Sequence, residues 1–330
     1  MVSTSTSVPG PAGARGAAGA RQEACGVPLI MGVVNVTPDS FSDGGRWFSE
    51  AQAIAHGVGL AADGAAILDI GGESTRPGAG RPDLREELRR TIGVIRRLHD
   101  DPGIEARLSI DTMRAAVAAA AIEAGATIVN DVSGGLADPD MARVVADAGV
   151  DYVAMHWRGH SVDMQSRAVY GDVVAEVTGE LMARVDALTA AGVAPERIIL
   201  DPGLGFAKLG EHNWTLLGHL DALVATGHRV LIGASRKAFL GQLEADAHGT
   251  PAPPDRREVA TAGITLLCAQ AGVWCVRVHD VLMSRSVLRV ASAVRHYSTG
   301  GGIAPAGGQR AVGATEGGAQ VHGAGVGVEA

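Results

Sequence analysis

Aromatic side chains make up only 3% of the 330 residues. A surface that stacks the bases of single-stranded nucleic acid needs more of them, so their scarcity argues against that role. Positive charge is short as well. Lys and Arg number 28 against 36 Asp and Glu, a formal net charge of −8, which leaves no basic footprint for nucleic acid. A small phosphorylated ligand is still compatible, because a few cationic groups and helix N-termini can bind one inside an acidic protein. Cysteine is sparse: Cys25, Cys268 and Cys275 are odd in number and lack metal-ligand spacing. That pattern excludes a disulfide framework and predicts inert thiols in a reducing compartment. No apolar run approaches the roughly 18–20 residues that span a bilayer. Residues 1–21 lack the continuous apolar stretch of a secretion signal, so a cytoplasmic protein without membrane contact is expected.

What is abundant is small and apolar. Alanine, valine and glycine dominate a chain that is 46% hydrophobic and 19% charged, enough for a large buried core. Residues 1–25 and 299–330 are Gly/Ala-rich with few large apolar groups and are expected to be disordered tails. Between them, residues 26–298 form one block without a linker. Short aliphatic runs recur through it at Leu29–Val36, Ala66–Ile70, Arg107–Asp111, Thr127–Val132, Tyr152–His156, Ile198–Asp201, Val230–Gly233 and Val273–Val278. Continuous apolar runs of this length read as buried parallel strands. The segments Ala51–Asp63, Leu84–His99, Arg114–Ala124, Pro139–Ala148, Asp172–Ala191, Asn213–Thr226 and Val259–Ala271 read as helices, several ending at glycine. Alternation of this kind predicts an α/β fold, a single (β/α)8 TIM barrel, with a doubly wound open sheet as the alternative.

In such barrels the catalytic groups sit at the C-terminal strand ends and in the loops that follow. Here those ends carry Asn35, Asp69, Asp111, Asn130, His156, Asp201, Lys237, Arg277 and His279. One polar residue at a strand end is commonly a cap or turn former. A ring of carboxylates, amide, ammonium and guanidinium around one mouth is costly to bury unless paired or used. It suits a flat heterocycle rich in donors and acceptors, with Arg277, His279 and Arg76 supplying an anion site.

The same residues carry a resemblance. Met31–Gly45 (MGVVNVTPDSFSDGG) and Gly71–Gly78 (GGESTRPG) resemble the two signatures of the dihydropteroate synthases. SIDTM from Ser109, NDVSGG from Asn130, DPGLGFAK from Asp201, GASRK from Gly233 and RVHDV from Arg277 are similar to further blocks of that family, in family order. The resemblance covers about residues 26–298. It implies condensation of 6-hydroxymethyl-7,8-dihydropterin pyrophosphate with p-aminobenzoate, releasing pyrophosphate, in folate biosynthesis. A non-catalytic pterin-binding paralogue is the alternative it leaves open.

Site roles follow from the resemblance residue by residue. It implies a pterin pocket of Asp111, Asn130, Met155, Asp201 and Lys237, with Asp39, Asp111 and Lys237 as the catalytic groups. Asn35, Thr75, Arg76, Arg277 and His279 would take the pyrophosphate, with Mg2+ on Asn35. Phe41, Thr75, Pro77, Gly205, Phe206 and Lys237 would form the p-aminobenzoate site. It also implies a homodimer and inhibition by sulfonamides. The chain departs from many family members at Ala238, where serine is common, which removes one possible contact to the p-aminobenzoate carboxylate. Trp157 stands at a position that varies in the family, and Glu244–Pro254 reads as an inserted surface loop.

Overall fold

The computed structural model describes residues 26–36, 50–73, 81–159 and 164–298. Both predicted tails, Cys25, and the site candidates Asp39, Phe41, Thr75, Arg76 and Pro77 lie outside the described residues.

The strands are β1 (Leu29–Asn35), β2 (Ile67–Gly71), β3 (Arg107–Asp111), β4 (Ile128–Asp131), β5 (Asp151–Met155), β6 (Ile198–Asp201), β7 (Arg229–Ile232) and β8 (Cys275–Val278). They are parallel and pair in chain order, and β8 returns to β1 to close the barrel. The open-sheet alternative is thereby excluded. The helices are α1 (Glu50–Asp63), α2 (Leu84–Asp100), α3 (Ala115–Glu123), α4 (Met141–Ala148), α5 (Val173–Ala190), α6 (Gly210–Gly218), α7 (Leu220–Val224), α8 (Ala238–Leu243), α9 (Glu258–Ala271) and α10 (Val281–Ser298).

Local chemistry sets several of these limits. Asp83 caps α2 by accepting from Glu86 N at 2.8 Å, and Asp172 caps α5 by accepting from Val174 N and Ala175 N. Gly149 stops α4 in the left-handed region at φ 61°, where a side chain would be strained. The helix expected over 213–226 is instead two, because His219 adopts φ −130° and ψ 40° between α6 and α7. The six-residue α8 shows no period in the sequence and was not expected. Residues 244–251 form the exposed connection predicted for the inserted segment.

Two apolar clusters divide the interior. The larger packs the outer face of the strands against the helices, with Ile30, Val34, Leu68, Ile70, Val129, Tyr152, Leu200 and Ile232 among its members. The smaller fills the lumen: Leu29, Met31, Ile67, Ile128, Val153, Ile199, Leu231 and Cys275. Alternate residues of a barrel strand face opposite sides, so the lumen set fixes which positions point inward. Two residues further along, the inward positions become Asp69, Asn130, Met155, Asp201, Gly233 and Arg277. Register places Asp111 level with Asn130 and Gly71. The apolar plug is therefore the floor of a polar mouth.

The opposite rim is closed by charge. Asp151 accepts from Arg107 at 2.7 Å and from both terminal nitrogens of Arg229 at 3.0 Å. Burial pushes the Asp151 carboxyl up, but Arg229 and Arg107 outweigh it and hold it below the usual range.

Candidate active site

Each inward strand end brings its side chain to the mouth, and two hydrogen-bond systems organise them. The first is centred on Asp69, which is fully buried. Its Oδ2 accepts from Arg277 Nε at 2.7 Å and from Asn130 Nδ2 at 3.0 Å. Arg277 Nη2 also donates to Asp111 Oδ2 at 2.9 Å. Two carboxylates thus share one guanidinium. Since Asp69 can only accept, the Asn130 amide must point its NH2 at it and present its carbonyl oxygen elsewhere.

These pairings set protonation. Burial pushes Asp111 up to about 7, opposed by Arg277 and reinforced by Asp69, Glu73 and Glu87. Burial lowers the affinity of the Arg277 guanidinium for its proton, but Asp69 and Asp111 outweigh it and hold the charge firmly. Asp201, also buried, is pushed up by desolvation, against the Gly203 N–H at 2.7 Å on Oδ1 and the charges of Lys237, Lys208 and Arg277.

The second system is the turn after β6. Lys237, from the β7–α8 connection, donates to Leu204 O at 2.7 Å, and its ammonium lies 4.0 Å from the centre of the Phe206 ring. Burial pulls its pKa down to about 8. Gly205 and Phe206 line this side and are half-buried. A side chain at Gly205 would meet the Lys237 stem at 3.0 Å.

On the β8 side, Ser235 Oγ lies 2.9 Å from His279 Nδ1 and accepts from His279 N at 3.2 Å. The Ser235 hydroxyl thus ties both the backbone and the ring of His279 to the β7–α8 connection. Asn35 ends β1, half-buried and in the inward-facing series of Leu29 and Met31.

Of the candidates inside the described residues, the structure brings Asn35, Asp111, Asn130, Met155, Asp201, Gly205, Phe206, Lys237, Arg277 and His279 to one end of the barrel. Arg277 was expected on the anion side. Its Nε and Nη2 donate to Asp69 and Asp111, which orients the guanidinium at the mouth. Asp69 was visible in sequence only as a strand end. Its role as the common acceptor under the pocket emerges from closure of β8 on β1 next to β2. Lys208, the last letter of the DPGLGFAK block, is 3% exposed and points behind the turn.

A closed parallel barrel with an apolar floor and a mouth of carboxylates, amide, ammonium and guanidinium defines a (β/α)8 enzyme site for a polar, planar ligand. Residues 31–279 match the model of the family described as pterin binding enzyme. A dihydropteroate synthase of Mycobacterium leprae is 56% identical over 268 residues, covering 81% of this chain and 93% of the relative. Among solved structures, the Xanthomonas albilineans dihydropteroate synthase with 4-aminobenzoic acid superposes with a TM-score of 0.75 at 44% identity, covering 82% of this chain and 94% of that one. The Yersinia pestis dihydropteroate synthase, solved with a sulfonamide drug complex, gives a TM-score of 0.75 at 35% identity over 82% and 95%. The chain belongs to the pterin binding enzyme family.

Proposed function

We propose that this protein is a dihydropteroate synthase, joining p-aminobenzoate to a dihydropterin pyrophosphate with release of pyrophosphate. The observation that carries this reading is the polarity of the mouth. Asp111, Asp201 and the Asn130 carbonyl are all acceptors, matched to the amino and ring N–H groups of a pterin, while Lys237 donates to its acceptors. Met155 continues the inward series of β5 and walls the ring.

The reaction forms a bond from the aniline nitrogen to the pterin methylene carbon as the bond to the pyrophosphate oxygen breaks. Positive charge builds on the pterin and negative charge on the leaving group. Asp111 sits where the first develops, and Asp39 would join it from the loop after β1. Arg277 and His279 serve the second, with Thr75 and Arg76 from the loop after β2. Phe206 and the Lys237 stem form one wall for the aromatic acid, with Phe41, Pro77 and Thr75 completing it.

Among the described residues no cluster of three or more acidic, His or Cys groups could hold a metal ion. Mg2+ would be held by a single protein oxygen, the Asn35 carboxamide at the inward-facing end of β1, and by the substrate's own phosphates. When bound it supplies charge neutralisation to the departing pyrophosphate.

A homodimer is proposed on the exposed apolar side chains of α9 and α10: Val259, Leu267, Leu282, Val290, Val294 and Tyr297. A cytoplasmic location is proposed because Cys268 and Cys275 are free and buried, with burial pushing the first up to about 12. No helix among the described residues is long and apolar enough to cross a membrane.

The test is pyrophosphate release from the pterin pyrophosphate with Mg2+ or EDTA, with and without p-aminobenzoate, while dihydropteroate is followed as product. Release that requires p-aminobenzoate and Mg2+ and is blocked by a sulfonamide supports the whole reading. Pterin binding without turnover identifies the non-catalytic paralogue instead.

A further inference from the structure

The turn 203–207 carries Phe206, and nearly every backbone oxygen in it is held by a named side chain. From the mouth, Lys237 Nζ donates to Leu204 O. From behind, Lys208 Nζ donates to Gly203 O at 3.2 Å, to Phe206 O at 3.1 Å and to His156 Nδ1 at 3.0 Å. Tyr170 Oη donates to Ala207 O at 3.0 Å. In its charged form Lys208 has three hydrogens, and these three acceptors use all of them, although burial pulls its pKa down to about 7.

The imidazole is fixed in turn. His156 is 2% exposed, and its Nε2 lies 2.9 Å from Glu180 Oε2. With Nδ1 accepting, Nε2 must carry the proton that Glu180 accepts. Burial, reinforced by the Lys208 charge, brings His156 down to about 3, which keeps the ring neutral and Nδ1 an acceptor. Arg158 closes the set by pairing with Glu180 and Glu176 and lying 3.9 Å over the Tyr170 ring.

The two lysines are therefore unequal. Lys237 holds the turn by a single bond at the pocket surface, and a substrate acceptor competes for that same ammonium. Lys208 faces away from the pocket and loses nothing when substrate binds. We propose that Lys208, with His156 as its acceptor, is the positioning residue of the p-aminobenzoate site. It keeps Phe206 in place while Lys237 exchanges Leu204 O for substrate. The inference rests on the synthase reading above.

The test compares wild type with Lys208→Met, which keeps length and removes every donor. Both are assayed over a pH series and compared on its acid side, where Lys208, which burial pulls down to about 7, keeps all three hydrogens. We expect KM for p-aminobenzoate, and Ki for a sulfonamide, to rise about tenfold or more while KM for the pterin pyrophosphate stays within about twofold. The chain has four phenylalanines, so fluorophenylalanine labelling gives a short spectrum. The Phe206 signal, assigned with Phe206→Leu, should broaden in Lys208→Met and the others should hold. A folded variant whose two KM values are unchanged, or rise together, overturns the proposal. If Lys208→Met does not fold, Lys208→Gln, which keeps one donor group, is titrated in its place. A selective rise in the p-aminobenzoate KM supports the proposal and an unchanged one overturns it. Wild type lacking p-aminobenzoate-dependent turnover would instead sink the synthase reading itself.

Discussion

Replacing Asp69 by asparagine keeps the shape of the side chain and removes its charge. In the native protein Oδ2 takes hydrogen bonds from Arg277 and Asn130, while Oδ1 is buried without a hydrogen-bond partner. The amide oxygen can still accept from both neighbours, but the charge-assisted part of the Arg277 bond is lost, about 1 kcal/mol. The new NH2 falls where Oδ1 was and has no acceptor, which costs roughly 1–3 kcal/mol. Arg277 is 22% exposed, so solvent moderates the first loss, and a total of about 2–3 kcal/mol is expected. In a barrel of this size that lowers the melting temperature by on the order of 5 °C. The kinetic signature is separate. Asp69 is one of the charges that raise Asp111, and it competes with Asp111 for Arg277. Without its charge, Asp111 ionises more easily. The acidic limb of kcat/KM for the pterin substrate should therefore move down from near pH 7 by on the order of one unit. A melting curve and a pH–rate profile on the same preparation decide the matter. An unchanged limb, or one that moves up, would refute the Asp69–Arg277–Asp111 reasoning even if stability fell as expected.

Asp111→Asn should cut kcat by roughly 100-fold or more and abolish that acidic limb; near-normal turnover would remove Asp111 from the mechanism. The folded value of Asp111 lies above its ordinary 3.8, so the unfolded chain releases this proton first. The free protein then loses stability as pH rises from about 4 to about 7 relative to Asp111→Asn, a difference readable in paired thermal melts. Gly203 has φ 66°, and an added Cβ would lie 2.5 Å from His156 O. Gly203→Ala should destabilise by about 2–3 kcal/mol in urea titration, and a neutral result would mean that the turn can rearrange. Tyr152→Phe removes the 2.8 Å bond to Asp131 on the helix side of β5. It should cost about 1–2 kcal/mol in the same assay and leave both KM values alone.

The barrel was legible because buried parallel strands carry their pattern in the chain itself. Ile198–Asp201 and Arg107–Asp111 are read to the residue, since a short aliphatic run ends abruptly on a carboxylate at the barrel mouth. What escaped the sequence reading depends on closure or on a few atoms of backbone. Asp69 and Arg277 are 208 residues apart and meet only because β8 and β2 flank β1. Lys208 stands in sequence only as the last letter of the DPGLGFAK block. Only the fold of the 203–207 turn shows that its ammonium is enclosed by carbonyls and His156. The break at His219 is a single residue's dihedral change inside an apolar run whose helical period continues on both sides.

The alternation of lumen-facing and helix-facing positions gives mutation two distinct vocabularies. A point change at Asp201 is felt in activity and one at Leu200 in stability, so each property can drift across generations with little interference from the other. A length change permits no such separation. Losing one residue from β6 would turn Leu200 toward the mouth and Asp201 into the helix layer, ruining both at once. Heritable variation in this chain should accordingly reach the strands as substitutions. Insertions and deletions should collect in connections such as 244–251, where no strand parity is at stake.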